Sequence, residues 1–341
     1  MKYSFRSDYC ELAHPEIINA FINAGNKQFD GYGLDEYSLR AAGLIKAKIE
    51  APGADVHFIS GGTHANLCVI SAMLRPHEAV IAPQTGHIFV HEAGAIEATG
   101  HKICTAEGVN GKITPDEIKQ IVKTHDDEHM VSPKLVYISN STETGTIYSI
   151  AELTEISRVC VENDLLLFMD GARLGAALNS SHNNLTYSDI AKLTDAFYIG
   201  GTKNGALFGE AIVIINEELK KDFRIILKQR GALLSKGAAI GVQFEALFTG
   251  NLYDKCAAHA NKMAMKLADG ITKAGFKLMY PAVTNIIFPV LPNEAIEKLR
   301  KSYEFYDWSV HEESNHTAIR LVTSWATPES EVDRFIADLH Q

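Results

Sequence analysis

Residues 134–170, KLVYISNSTETGTIYSIAELTEISRVCVENDLLLFMD, decide the fold class of this chain. Two short apolar runs, KLVYIS (134–139) and LLLFMD (165–170), have the length and the Val, Ile, Leu and Phe content of buried strands. Between them, SIAELTEISRVCVEND predicts a helix, because Ser149 is a good N-cap and Glu152 follows three residues later. A strand, a helix and another strand in this order predict a parallel pair with a crossover helix.

The same alternation extends outward from this stretch in both directions. Five further apolar runs predict strands, at residues 55–60, 79–83, 101–105, 196–200 and 211–215. We therefore predict an α/β fold with a mostly parallel, seven-stranded sheet and helices on both of its faces. Ligands of such sheets bind at the carboxyl ends of the strands, so chemistry is expected at that edge.

The pattern changes after about residue 216, where long helical stretches are followed by mixed strands and helices. We predict an N-terminal segment over residues 1–25 and a large domain over 26–245. A smaller α+β domain is predicted over 246–341.

Composition and charge limit the classes of partner. The chain has 341 residues and a formal net charge of −10, which argues against nucleic acid or an anionic membrane as the main partner. Its apolar runs are too short to cross a bilayer, and the N-terminus lacks the apolar run of a secretory signal. The five cysteines are scattered, without a CxxC pair, as is typical of reduced thiols. We therefore expect a cytoplasmic protein.

The first predicted strand ends in SGGTHAN (60–66). Two glycines allow a ligand to approach the backbone, and the amides of Gly62, Thr63 and His64 open the next helix, which suits phosphate. A tight turn with Thr63 as N-cap explains the same residues. The segment matches neither GxGxxG nor a Walker A loop, so it does not indicate a dinucleotide or a nucleoside triphosphate.

Asp170 and Lys203 each follow a predicted strand. Burying Asp170 there is costly unless it meets a cation or strong donors, so it is either paired with nearby Arg173 or a site carboxylate beside an anion-binding guanidinium. Lys203, in GGTK (200–203), is either a surface lysine or an amine nucleophile whose pKa is lowered by burial and a neighbouring cation. With the turn at 60–66, these residues meet the needs of pyridoxal 5'-phosphate: an anion site, a carboxylate for the pyridine nitrogen, and an amine.

His87 and His91 lie four residues apart in GHIFVHEAGA (86–95), at the spacing of metal ligands on a helix. Glu92 points off that helical face and HExxH is absent, so we predict no metal site. In a pyridoxal site, His87 is a candidate to stack on the ring or to act as a base.

Eight motifs in order give the chain a resemblance, nearly end to end, to the threonine aldolase and β-eliminating lyase family of fold-type I pyridoxal-phosphate enzymes. They are FRSD (5–8), YG (32–33), SGGTHAN (60–66), GHIFVHEAGA (86–95), STETGT (141–146), DGARLGAA (170–177), GGTKNG (200–205) and IRLVT (319–323). Each motif is weak alone, and their order makes the resemblance specific.

The resemblance implies roles for individual residues. Lys203 matches the lysine that forms the Schiff base, Asp170 the partner of the pyridine nitrogen, and His87 the ring-stacking histidine. The residues implied to contact the cofactor are Gly62, Thr63, Asn66, His87, Asp170, Arg173, Thr202, Lys203 and one of Arg230 and Lys236. Those implied to hold the substrate are Ser7, Tyr32, Arg173 and Arg320. Tyr32 matches a residue that reaches the site from a neighbouring subunit, as in a homotetramer with active sites at a dimer interface.

One departure concerns the loop after the strand at 134–139. Many family members carry Glu-Asn-Thr-His where this chain has SNSTETG (139–145), so the second active-site histidine is missing. Thr142 or Glu143 lies near its place, as in a low-specificity branch of the family.

The activity implied by the resemblance is carbon–carbon bond cleavage. A β-hydroxy-α-amino acid, such as L-threonine or L-allo-threonine, is expected to give glycine and an aldehyde, with His87 as the candidate base. A β-eliminating lyase and an aminotransferase share the same cofactor residues. A non-catalytic binding protein on this fold would be expected to lose Lys203, Asp170 or the arginines, and all are present.

Overall fold

The computed structural model describes residues 2–311 and 315–340, which leaves residues 1, 312–314 and 341 of the predicted terminal domains outside the description. In chain order, the first half forms β1 (Tyr3–Ser4), α1 (Pro15–Ala24), α2 (Glu36–Lys48), β2 (Asp55–Ile59), α3 (Gly62–Met73), β3 (Glu78–Pro83), α4 (His87–Val90), β4 (Ile103–Ala106), α5 (Pro115–Thr124), β5 (Ser132–Ser139), α6 (Ile150–Glu162) and β6 (Leu166–Asp170). The second half forms α7 (Leu174–Leu178), α8 (Tyr187–Leu193), β7 (Ala196–Gly200), β8 (Glu210–Ile214), α9 (Glu217–Lys220), α10 (Phe223–Gln229), α11 (Ala238–Phe248), α12 (Leu252–Lys273), β9 (Lys277–Leu278), β10 (Ile286–Ile287), β11 (Pro289–Pro292), α13 (Asn293–Leu299), β12 (Tyr303–Glu304), β13 (Tyr306–His311), β14 (His316–Val322) and α14 (Glu329–Leu339).

The central sheet confirms the predicted fold class. It has seven strands in the order β2-β8-β7-β6-β5-β3-β4, formed by the seven runs that the sequence predicts. Strands β3 to β7 pair in parallel, and β8 runs antiparallel to both β7 and β2. The sheet is therefore mostly parallel.

Helices cover both faces of this sheet because neighbouring strand residues point to opposite sides. In β5, Val136 and Ile138 belong to an apolar cluster that includes Leu153 of α6. Leu135 and Tyr137 belong to a second cluster, which includes Cys68 of α3. Each strand residue is thus buried by a helix on its own side.

The helix α6 begins as the sequence predicts. Ser149 accepts a hydrogen bond from the backbone of Glu152, whose side chain accepts one from the backbone of Ser149. Such a capping box stabilises a helix start by about 1 kcal/mol. The helix therefore begins directly after the loop 140–148, which returns the chain from the carboxyl edge of the sheet.

A second, antiparallel sheet lies in the C-terminal part of the chain. Its strands have the order β10-β14-β11-β9, and β13 also pairs with β14. The N-terminal segment joins this part, because β1 pairs in parallel with β12 and Phe5 packs in one apolar cluster with Phe335. The domain boundaries at residues 25/26 and 245/246 stay a prediction.

Within residues 2–311 and 315–340, every helix is either too short or too polar to cross a membrane. The strands β5, β6 and β7 instead end side by side at one edge of the sheet, where Ser139 pairs with Asp170. The segment that contains Lys203 follows β7 at the same edge. Three predicted site segments are thereby brought together.

Candidate active site

A cavity of about 340 Å³ lies at this carboxyl edge. Its lining includes Gly62, Thr63, His87, Asp170 and Lys203, which lie far apart in the sequence. The structure thus brings the predicted phosphate turn, the carboxylate and the lysine together around one space.

A second cavity, of about 290 Å³, adjoins the first. Both cavities are lined by Lys203, Arg173, His87, Glu143 and Tyr9. The second cavity adds four side chains that the first lacks: His91, Ile286, Trp308 and Arg320. Two compartments therefore meet at Lys203, one toward the turn at 60–66 and one toward Arg320.

Asp170 is a buried carboxylate surrounded by donors. Tyr137 Oη (2.7 Å) and Asn66 Nδ2 (3.0 Å) donate to its Oδ2, while Tyr198 Oη and the backbone amide of Ala172 donate to Oδ1. Burial alone raises the pKa of Asp170, but the charge of His87 and these hydrogen bonds outweigh burial, so the pKa is lowered. Asp170 is therefore ionised at neutral pH.

Two tyrosines that donate to Asp170 were not expected from the sequence. Tyr137 and Tyr198 belong to β5 and β7, the strands on either side of the strand that ends in Asp170. Burial, and then the negative charge of Asp170, raise the pKa of both phenols well above the ordinary value, so both remain donors. The sequence signal was a tyrosine within each of two predicted strands, KLVYIS (134–139) and AFYIG (196–200).

Lys203 lies in a turn fixed by a second carboxylate. Glu210, the first residue of β8, accepts hydrogen bonds from the amide of Gly201 (2.8 Å) and from Thr202 Oγ1 (2.7 Å). Position 200, three residues before Lys203, requires glycine, because a Cβ there would lie 2.3 Å from the carbonyl oxygen of Ala172.

The electrostatic surroundings of Lys203 favour the neutral amine. Burial lowers the pKa of Lys203, and the charge of Arg173 lowers it further, although Asp8, Asp170 and Glu210 act against both. The pKa of Glu210 is raised to about 7, mainly by burial. The side chain is half-buried and lines both cavities, so the interpretation as a surface lysine is wrong.

His87 is oriented by Glu92, a buried carboxylate. Its Nδ1 lies 2.8 Å from Glu92 Oε1, and Asn66 Nδ2 donates to the same oxygen at 2.8 Å. The expectation that Glu92 points away from His87 is wrong, because α4 is a single turn and the chain leaves helical geometry at His91. No cluster of three or more metal-ligating side chains occurs in the described parts of the chain.

Arg173 does not pair with Asp170. It pairs with Asp8, which belongs to the FRSD motif, through Nε (2.7 Å) and Nη2 (3.0 Å). The local Asp170–Arg173 ion pair considered from sequence is therefore absent. Arg320 differs from Arg173, since its buried Nε has no hydrogen-bond partner among the residues that the structure describes.

The start of α3 suits an anion. Gly61 is the N-cap, no side chain caps the helix, and Ala65 makes the first backbone bond, to the carbonyl oxygen of Gly61. The amides of Gly62, Thr63 and His64 are therefore available to a ligand. A Cβ at Gly61 would meet no atom within 4 Å, so there is open space before the helix. The N-cap role considered for Thr63 is wrong.

Five predicted site residues are not among the lining residues of either cavity; one of them, Asn66, instead donates to Asp170 and Glu92. Ser7 is buried, with Oγ 3.3 Å from Cys10 Sγ, and the ring of Tyr32 lies 4.3 Å from Lys228 Nζ. Lys236 lines a different cavity, beside Phe21. The carbonyl oxygen of Arg230 lies 3.1 Å from His64 Nε2, so Arg230 approaches the start of α3 through its backbone.

The chain is similar to known proteins over nearly its whole length. The family profile of β-eliminating lyases matches residues 4–294. A low-specificity L-threonine aldolase from a Pseudomonas species is 33% identical over 98% of this chain and 96% of its own length. The structure of a threonine aldolase from Leishmania major superposes with a TM-score of 0.98 at 49% identity, over 99% of this chain and 98% of that one.

A more distant neighbour shows the fold alone. Aspartate aminotransferase from Thermus thermophilus has a TM-score of 0.72 at 15% identity, over 99% of this chain and 91% of its own. The chain therefore has the fold-type I architecture that the sequence analysis predicts.

Proposed function

The chain belongs to the β-eliminating lyase family, and on this premise we propose that it is a pyridoxal-phosphate-dependent aldolase for β-hydroxy-α-amino acids. Its substrates are L-threonine or L-allo-threonine, and its products are glycine and an aldehyde. The observation that carries the proposal is the meeting of two cavities at Lys203, with Asp170 in one and Arg320 in the other.

The residues of the first cavity fit pyridoxal phosphate. The uncapped amides of Gly62 and Thr63 would hold the phosphate, Asp170 would hold the pyridine nitrogen in its protonated form, and Lys203 would supply the amine for the aldehyde group. His87, oriented by Glu92, lines the same cavity and would contact the ring. When bound, the cofactor supplies an electron-accepting ring that stabilises negative charge at Cα of the substrate.

The second cavity holds the amino acid. Arg320 lines this cavity and its Nε has no hydrogen-bond partner among the described residues, whereas Asp8 occupies the Nε and Nη2 atoms of Arg173. We therefore assign the main carboxylate contact to Arg320 and a contact through Nη1 to Arg173. Fixing the carboxylate would orient the substrate and so select which Cα bond is placed to break.

One assay separates this activity from the alternative within the family. The purified protein with added pyridoxal phosphate is incubated with L-threonine, L-allo-threonine, phenylserine and L-serine. Aldehyde and glycine in equal amounts support aldol cleavage, whereas keto acid and ammonia would show β-elimination. A protein that gains no visible absorbance with the cofactor would overturn the proposal, as would a Lys203→Ala variant with full activity.

We also propose that the active form is a homotetramer whose sites are completed across a dimer interface, in the cytoplasm. Tyr32 and Lys236 lie apart from the site cavities, and large apolar side chains are exposed: Ile22, Leu34, Leu39 and Phe89. The five unpaired cysteines suit a reducing compartment.

Complementation between subunits tests the shared site. Lys203→Ala and Tyr32→Ala subunits are inactive or weak alone, and mixed assemblies regain activity when one site has both native residues. The same design with Lys236→Ala or Arg230→Ala decides which residue acts across the interface. A monomer in sedimentation analysis, or mixtures without recovery, would contradict the shared site.

A further inference from the structure

We propose that His91 is the base that removes the proton from the β-hydroxyl group of the substrate, a role that rests on the proposed aldol cleavage. Three observations support the inference. His91 lines the substrate cavity, its neighbours already have other hydrogen-bond partners or roles, and the loop 139–145 of this chain lacks the second active-site histidine.

His91 lies where the variable end of the substrate is expected. It lines the second cavity together with Lys203, Arg173 and Arg320, the groups assigned to the amine and the carboxylate. Trp308 lines the same cavity. An amino acid anchored by its carboxylate near Arg320 and by Cα near Lys203 has its β-carbon as the next atom, inside the space that His91 lines.

The ring of His91 is available for this contact. None of the described residues forms a hydrogen bond with it, and its nearest aromatic neighbour is His87, with ring centroids 5.5 Å apart. His87 is less available for this role, because its Nδ1 is hydrogen-bonded to Glu92 and its ring is assigned to the cofactor. The base role that the sequence analysis gave to His87 is therefore moved to His91.

The loop 139–145 does not provide an alternative histidine. Thr142, one of the two residues near the missing position, is 1% exposed, and its Oγ1 is bonded to Thr144 Oγ1 (3.0 Å) and Thr146 Oγ1 (2.8 Å). Its hydroxyl is thus occupied within the loop. Glu143 is the remaining competitor, since its Oε2 is buried and unpaired within the described parts of the chain.

Glu143 is less suited to accept the proton. Its Oε1 accepts hydrogen bonds from the amide of His87 (2.9 Å) and from Ser139 Oγ (2.7 Å), which fix the carboxyl group in the cavity wall. Burial raises the pKa of Glu143 and so favours its protonated form. With Oε1 already accepting two hydrogen bonds and a raised pKa that weakens its negative charge, Glu143 is placed less well than His91 to take the hydroxyl proton.

The charges around His91 keep its ring neutral and therefore able to accept a proton. Partial burial lowers the pKa of His91, and the charges of His87, Arg320, Lys203 and Arg173 lower it further. Glu143 and Tyr9 are the other titratable groups that line the same cavity. A neutral imidazole at physiological pH has a free lone pair, as a general base requires.

The proposed step is balanced. A ring nitrogen of His91 forms a bond with the hydroxyl proton, and the electron pair of the O–H bond becomes the second C–O bond of the aldehyde. The Cα–Cβ bond breaks and its pair stays with Cα, which a proton then converts into glycine. The proton on His91 passes to solvent.

The test compares His91→Asn and His91→Phe with a matched control, His129→Asn, at an exposed loop position. For the His91 variants, we expect kcat/KM for L-threonine to fall about 10²-fold or more, with loss of the acid limb of its pH profile. Deuterium exchange at Cα of glycine needs the cofactor but no β-hydroxyl, so it should fall far less than threonine cleavage does. The control variant His129→Asn should change neither the rate of threonine cleavage nor the rate of glycine exchange.

Each further result either supports or overturns the role. If the His91 variants lose glycine exchange and threonine cleavage equally, the role of His91 is structural and it is not the base. If Glu143→Gln loses the acid limb of the pH profile instead, Glu143 is the base. Histidine NMR on the cofactor-free protein supplies a readout without turnover, and His91 should titrate below the ordinary histidine range. If the wild-type protein releases no aldehyde, the proposed function fails and not this assignment alone.

Discussion

The guanidinium group of Arg173 donates to both carboxylate oxygens of Asp8, a residue 165 positions earlier in the chain. Asp8 is 1% exposed. Burial raises the pKa of Asp8, but the charges of Arg173 and Lys203 outweigh burial and lower it. The N-terminal segment thereby fixes an arginine that follows β6, and Asp8 supports Arg173 without itself lining the cavity.

Replacing Asp8 by Asn should destabilise the protein and weaken substrate binding. The charge of Arg173 would lose its buried partner, which costs about 3 kcal/mol of unfolding free energy. Because the folded-state pKa of Asp8 is lowered, this difference is complete at pH 7 and shrinks only below about pH 4. Urea unfolding at several pH values measures it.

The control for Asp8→Asn is Asp307→Asn, which removes an exposed ion pair with Arg300. An exposed pair contributes at most about 1 kcal/mol. Equal urea midpoints for Asp8→Asn and wild type would show that the buried pair does not stabilise the fold. We also expect a raised KM for the amino acid with a smaller change in kcat, since Arg173 would be less well oriented.

Replacing Glu210 by Gln should make Lys203 lose its proton at lower pH. The negative charge of Glu210 raises the pKa of Lys203 against burial, and Gln lacks this charge. The measurement is the rate at which an amine-arylating reagent modifies Lys203 in the cofactor-free protein, followed by mass spectrometry across pH. Glu218→Gln, at an exposed position, is the control, and an unchanged midpoint in Glu210→Gln would contradict the coupling.

The strands were predictable because their sequence signal is local. Runs such as 134–139 and 165–170 combine β-branched and aliphatic residues with small or polar residues at their ends, and they became Ser132–Ser139 and Leu166–Asp170. The antiparallel direction of β8 was not stated from sequence, although the signal existed. Only residues 201–209 separate β7 from β8, fewer than a parallel crossover needs.

The supporting residues of the site were harder to predict, because their partners come from distant parts of the chain. Asp170 ends a strand, and Lys203 and the turn at 60–66 follow strands, so the sequence could place them at one edge of the sheet. The position of Glu92 was wrongly predicted, because helical spacing was applied to a segment that forms a single turn. Glu210, which fixes the turn before Lys203, was not predicted. The pairing of Arg173 with Asp8 joins two motifs that are far apart in the sequence.

Replacing Glu92 by Ala should weaken cofactor binding and activity together. His87 would lose the acceptor for Nδ1, and Asn66 would lose one of its two carboxylate acceptors beside Asp170. Loss of such supporting contacts typically costs about 10- to 100-fold in affinity or activity. Titration with pyridoxal phosphate, read by absorbance, measures the affinity.

Glu92→Gln is the discriminating companion variant. Its side-chain oxygen still accepts hydrogen bonds, so it should retain much more activity than Glu92→Ala. Wild-type cofactor affinity and turnover in Glu92→Ala would show that Glu92 does not orient His87.

His57 should make the protein lose stability in mild acid. Burial lowers its pKa to about 4, and its Nε2 has no hydrogen-bond partner among the described residues. The unfolded chain takes up a proton at the ordinary histidine pKa of about 6.5, whereas the folded chain does so only near pH 4. Stability therefore falls as the pH is lowered through this window, by about 2 kcal/mol between pH 7 and pH 5.

His57→Phe should remove this part of the pH dependence. The ring of His57 packs against Phe223, with centroids 5.1 Å apart, so an aromatic replacement keeps the packing without a titrating group. Urea unfolding of both proteins at pH 7 and pH 5 gives the comparison. The variant should lose about 2 kcal/mol less than wild type on acidification, and equal losses would mean that His57 does not resist protonation in the folded chain.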